Sequence, residues 1–118
     1  MPGYRDLKAW QIAVDLADDV YALTENWPSH EQYALTSQTR RAAVSVPANI
    51  AEGQGRLGRK EFRHHLSIAY GSLCELETLI HLATRRGYCS REAEASFLAK
   101  SDETARIIRG LLKSLDPD

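Results

Sequence analysis

The residues whose types and spacing suggest chemistry fall within one stretch, "NIAEGQGRLGRKEFRHH", residues 49–65. Gly53, Gly55 and Gly58 spell G-x-G-x-x-G, with Arg56, Arg59, Lys60 and Arg63 among or after them. Such glycines cradle a dinucleotide only between a strand and a helix, with an acidic residue ending a second strand. Here a proline-containing helical segment precedes them, and the unbroken helical pattern that follows leaves no room for that strand. The P-loop form fails too, because Gly58 is followed by Arg59 and Lys60 rather than by lysine and a hydroxyl residue. The glycines are therefore expected to stop one helix and join it to the next.

The histidines offer two further readings. Glu61 and His64 form a Glu-x-x-His, as in di-iron bundles, but those need two such motifs and two more inward-facing glutamates. One copy, set off the apolar seam, implies no metal. Arg59 and His64 form an Arg-x4-His that resembles the motif of HEPN ribonucleases. Histidine there would move a proton near neutral pH while arginine holds a phosphate. An arginine and a histidine this close also arise readily in any basic stretch. With no Ser/His/Asp or Cys/His constellation, no catalytic residue and no cofactor are expected, and ribonuclease activity is the least favoured alternative.

Charge is what remains. Four cations stand between Arg56 and His65 against the single acid Glu61, and Arg40 and Arg41 add two more upstream. The formal net charge is -1, so a polyanion would be held by a segregated surface and not by the field of the whole molecule. Cations at a helix N-terminus oppose the macrodipole, so local helix stability does not explain them. The expected nucleic-acid contacts are Arg40, Arg41, Arg56, Arg59, Lys60 and Arg63, with a solvated helix start as the plainer alternative. Few aromatics interleave with them, so base stacking is not indicated.

Four helical segments must position these residues, at roughly 6–26, 30–52, 59–86 and 90–115. In the third, Phe62, Leu66, Ala69, Leu73, Leu76, Ile80 and Ala83 alternate steps of four and three, as in a bundle seam. Leu35, Thr39, Ala42, Ala43, Val46 and Ile50 share a face of the second, and Phe97, Thr104, Ile108, Leu111 and Leu115 one of the fourth. Ser29 and Gln32 have capping-box spacing, and Pro47 predicts a bend or an early end near residues 43–47. Short connections imply an antiparallel up-down-up-down four-helix bundle, a single domain over residues 1–118. At 43% apolar and 26% charged residues, the composition is that of an ordinary globular chain. It shows no secretory leader or membrane-length apolar run, and Cys74 and Cys89 lack metal spacing. A cytoplasmic protein with reduced thiols is expected.

The first segment carries two stripes. Leu7, Trp10, Val14, Ala17 and Tyr21 form the expected core face. Ile12, Leu16, Val20, Leu23 and Trp27 lie opposite, and with Ile68, Leu79, Leu82, Tyr33, Val44 and Ala51 they suggest a buried subunit interface. An obligate homo-oligomer is the favoured reading, of a size the stripes do not set, with a broad core face plus scattered surface apolars as the plainer alternative.

"YRDLKAWQIAVDLADDVYALT", "YALTSQTRRAAVSVPANIAEGQGR" and "EFRHHLSIAYGSLCELETLIHLATRRGY" closely resemble the four-helix bundle family named for the protein encoded in intervening sequences of bacterial 23S rRNA genes. The resemblance covers about residues 4–88 and is most specific in "SVPANIAEG" and "GSLCELET". It implies a homopentamer around a central channel. It also implies kinship with the accessory protein of diversity-generating retroelements, which binds a reverse transcriptase and nucleic acid. The expectation is thus a non-enzymatic scaffold that binds structured RNA, with ribosome association suggested by gene location. The alternative is an adaptor for a nucleic-acid enzyme. The family brings no catalytic set, and Gly58 replaces its usual hydroxyl residue before Arg59.

Overall fold

A computed structural model of the chain describes residues 3–56 and 58–116. These residues are all-α, with helices α1 (Lys8–Thr24), α2 (Leu35–Gly55), α3 (Arg59–Arg85) and α4 (Arg91–Ser114). Single 3-10 turns occupy Tyr4–Asp6 and Ser29–Glu31, and no strand occurs among the described residues. Each helix packs against its chain neighbours, and α1 also meets α4, which closes a ring of four; α2 and α3 share the most extensive interface. Leu57 in the α2–α3 joint, and Pro117 and Asp118 at the end of the sequence, lie outside the described residues.

The seam of α3 is buried from Leu66 through Ala83, with Phe62 partly covered at its start. Burying a leucine or isoleucine of this kind contributes roughly 1.5–3 kcal/mol. The helix stops in a Schellman motif: Gly87 takes φ 82, the Gly87 amide donates to the Thr84 carbonyl, and the Tyr88 amide donates to that of Ala83. Ser90 then caps α4, its hydroxyl accepting from the Ala93 amide at 3.0 Å.

Four expectations about the second helix are corrected. The second helix begins at Leu35, not near residue 30, and the Ser29–Gln32 capping box does not form. The Glu31 carboxylate instead accepts the Leu35 amide at 3.3 Å. Pro47 does not end α2, which continues to Gly55 with Pro47 buried, so only the single bond that a proline cannot donate is missing. Gly53 is not a stop either: it lies inside α2, packed directly against His65 and Phe62 of α3.

The two stripes of α1 are only partly as expected: Ala17 of the core stripe is buried, and Leu7 and Trp10 pack against the core. Leu16, Val20 and Trp27, expected at a subunit interface, are 1%, 0% and 7% exposed and belong to the chain's own core. Ile12 and Leu23 are half-buried, while Val14 and Tyr21 of the expected core stripe are exposed. The core side of α1 mixes Leu16 and Val20 with Ala9, Ala13 and Ala17, small residues that let neighbouring helices approach closely.

Candidate nucleic-acid interface

The start of α3 and the end of α4 lie side by side. Arg59 Nη2 donates to the main-chain carbonyls of Ser114 and Asp116, both at 3.4 Å. The last carbonyls of a helix have no intrahelical donor and carry the negative end of its dipole. Arg59 therefore serves α4, although it opposes the dipole of its own helix. The sequence argument that helix stability does not call for these cations holds for α3 alone and fails, at Arg59, for the pair of helices.

Lys60 and Arg63 have no such occupation. With Arg59 and Leu115 they line an open cleft of about 500 Å³. Lys60 is exposed, and Arg63 is half-buried with its Nε shielded from water and without a hydrogen-bond partner. Three cations converge on one concave surface with an apolar floor residue, an arrangement that fits a phosphate oxygen better than a neutral group.

The other expected contacts lie elsewhere. Arg56 is exposed but paired with Glu52 at 3.1 Å. Arg41, also exposed, stands 15 residues before Arg56, about 22 Å along a helix axis. Arg40 is committed to α1: its Nε donates to Thr24 Oγ1 at 2.8 Å, and its guanidinium lies 4.8 Å from the Tyr21 ring centroid. The six cations thus form one cluster of three and separate singles.

His65 is buried, and its Nδ1 is 3.0 Å from Asn49 Oδ1. Asn49 Nδ2 donates to the Ser45 carbonyl at 2.9 Å and to its hydroxyl at 3.0 Å, and Ser45 Oγ is 2.8 Å from Ser72 Oγ. This polar line between α2 and α3 was missed in the sequence, although Ser45 and Asn49, spaced by four beside an otherwise apolar stripe, were its signal. His64 is exposed and stacks edge-on against His65. A second missed cleft, about 610 Å³, lies where α3 ends, among His81, Arg85, Arg91 and Glu94. There the His81 Nδ1 is held by Glu94 at 2.9 Å. Two groups depart from their ordinary ionisation, neither in the basic cleft. The hydrogen bond to Asp19 raises Lys100, and burial pushes the Cys89 thiol up. Among the described residues, no group of three or more His, Cys, Asp or Glu side chains is placed to hold a metal ion. No helix of those residues is long and apolar enough to cross a membrane.

The model of the 23S rRNA-intervening sequence protein family matches residues 5–110. Among solved structures, the chain is similar to a protein of unknown function from the S23 ribosomal protein family of Bacteroides thetaiotaomicron, with TM-score 0.79 and 24% identity over 89% of this chain and 98% of that one. At that identity the likeness speaks for the fold. Comparison with curated proteins gives no match.

Proposed function

The chain belongs to the 23S rRNA-intervening sequence protein family, and from that premise we propose a non-enzymatic, oligomeric, cytoplasmic scaffold that binds structured RNA through its basic surface. The observation that carries this reading is the cleft shared by Arg59, Lys60 and Arg63. Its cations hold backbone phosphates, which gives weak sequence discrimination and strong dependence on salt. Arg41 and Arg56 extend the surface as exposed outlying contacts.

The four helices run up-down-up-down. Support comes from pairs that read in opposite order along neighbouring helices, such as His81 with Glu94 and Arg59 with Ser114. Assembly into a homopentamer, which the family resemblance implies, repeats the cleft five times and adds its phosphate contacts together. Exposed Val14, Tyr21, Val44, Ile68 and Leu82 supply apolar surface for such contacts. Native mass spectrometry tests the assembly, and a monomer overturns it.

Filter binding of ribosomal RNA fragments across a salt series tests the function. Affinity should fall linearly on logarithmic axes as salt rises. No retention at low salt would sink the proposal. A second reading, an adaptor for a nucleic-acid enzyme, draws on Tyr33, which is 89% exposed on the connection before α2. A protein partner that survives nuclease treatment in a pull-down would favour it.

A further inference from the structure

At the opposite end of α2 from the Arg56 joint, a small pocket of about 260 Å³ opens between the end of α1 and the start of α2. Its walls include Glu25, Trp27, Pro28, Gln32, Thr36 and Arg40. We propose that this pocket binds a carboxylate carried on a short apolar stem, a role separate from the RNA surface proposed above.

Two of its residues are built in with hydrogen bonds left unmade. Trp27 and Thr36 are each 7% exposed, and both the indole Nε1 and the Thr36 hydroxyl are buried without a partner. Buried polar groups in folded chains nearly always have partners, because an unpaired one destabilises the fold. An acceptor that enters the pocket recovers that loss on binding. The indole N–H can only donate, so the missing group is an acceptor.

Two further features give that acceptor a negative charge. Arg40 is fixed by its bond to Thr24 and its stacking on Tyr21, and no described residue engages its terminal nitrogens. The α2 N-terminus begins beside the pocket, with no side-chain cap from Ala34. Glu31 takes the Leu35 amide, but the Thr36 and Ser37 amides that follow have no acceptor within the helix. Glu31 thus satisfies only the first amide, and the positive end of the α2 dipole beside the pocket keeps donors to spare, as in other helix-terminal anion sites.

The rest of the wall selects among anions. Glu25 in the pocket and Glu31 beside it oppose a doubly charged phosphate more than a singly charged carboxylate. Trp27 and Pro28 offer an apolar seat for a stem. Both unpaired atoms belong to residues that line the pocket and neither is reached by water, so the ligand must enter deeper than solvent does. A group carried on an apolar stem does this at lower desolvation cost than a bare hydrated ion.

The test uses the full chain labelled with ¹⁵N, following the indole N–H signals of Trp27 and Trp10 at constant ionic strength. Sodium butyrate should shift the Trp27 signal saturably and leave Trp10 unmoved, while butyramide and inorganic phosphate should move neither. Thr36→Val, which removes the hydroxyl at nearly constant shape, should weaken butyrate by about tenfold. An unmoved Trp27 signal, equal shifts with phosphate, or unchanged affinity in Thr36→Val would overturn the assignment. The unmodified chain tests it even if the variant does not fold. A tetrapeptide with a free C-terminal carboxylate distinguishes the sources. Tighter binding than butyrate points to a polypeptide end, and weaker or equal binding to a small acid.

Discussion

A Cβ built on Gly53 of α2 would stand 2.6 Å from the Cβ of His65 on α3 and 3.2 Å from the Phe62 ring. The helices meet there through the absence of a side chain, at the point where α2 hands over to α3. Gly53→Ala must push the two helices apart, at a cost of about 1–3 kcal/mol, against which better helix propensity returns roughly 1 kcal/mol. The expected result is a lower urea midpoint at unchanged slope. Gly71→Ala, also within a helix but with nothing within 4 Å, should add up to about 1 kcal/mol of stability and so raise the midpoint. A Gly53→Ala midpoint at or above that of the unmodified chain would show that the close approach is not needed.

The same interface depends on Asn49. It answers His65 Nδ1 with its oxygen and Ser45 with its nitrogen. Asn49→Ala leaves the His65 Nδ1 without its partner while Ser45 keeps Ser72, which should destabilise the chain by about 1–3 kcal/mol. A double-mutant cycle with His65→Ala isolates the pair, and a coupling near zero would mean that water replaces Asn49 without loss.

How much of this was legible depended on the helix. In α3 the positions that recur at steps of three and four from Leu66 to Ala83 are all apolar and all buried, so the periodicity named the buried face correctly. In α2 the stripe from Leu35 to Ile50 was likewise buried as read. In α1 alanines share the core side with Leu16 and Val20, and the eye follows Trp10, Val14 and Tyr21 instead. Tyr21 lies beneath the Arg40 guanidinium, and Trp10 packs edge-on against Tyr4 with Arg5 beside it. Residue size misleads where helices pack closely. For the candidate site, composition located the cations, but their grouping depends on which helix ends adjoin. That Arg59 reaches Ser114 and Asp116 across more than fifty residues is a tertiary fact with no local signal.

The two cysteines should separate cleanly. Cys74 is exposed and Cys89 buried, its thiol raised chiefly by burial and lowered in part by the Thr84 hydroxyl. A thiol-reactive dye should label Cys74 promptly and Cys89 only in a slow phase that follows opening of the fold. For the pH dependence, a raised folded pKa means a contribution to stability fully present below the unfolded thiol's pKa and lost as pH rises through the folded one. Stability should therefore fall faster in the alkaline range for the unmodified chain than for Cys89→Ala. Parallel pH profiles would show that Cys89 ionises as freely when folded as when unfolded.

Arg59 and Lys60 are adjacent in sequence but differ in what they hold, and that difference separates structural from RNA-binding charge. Arg59 donates to the ends of α4, so Arg59→Ala should lower stability by about 0.3–1 kcal/mol, the scale of a charge at a helix terminus. It should also weaken RNA binding. Lys60 is exposed and lines the same cleft, so Lys60→Ala should leave the melting temperature within error and weaken RNA binding alone. Each lost phosphate contact should reduce the salt slope by about 0.9 per chain on duplex RNA, if it behaves like duplex DNA. In a symmetric assembly that engages several clefts, one substitution removes several contacts, so the change in slope counts the clefts in use. If Lys60→Ala and Arg63→Ala bind RNA with unaltered slope while Arg59→Ala loses only stability, the cleft's charge belongs to the fold and the RNA reading fails.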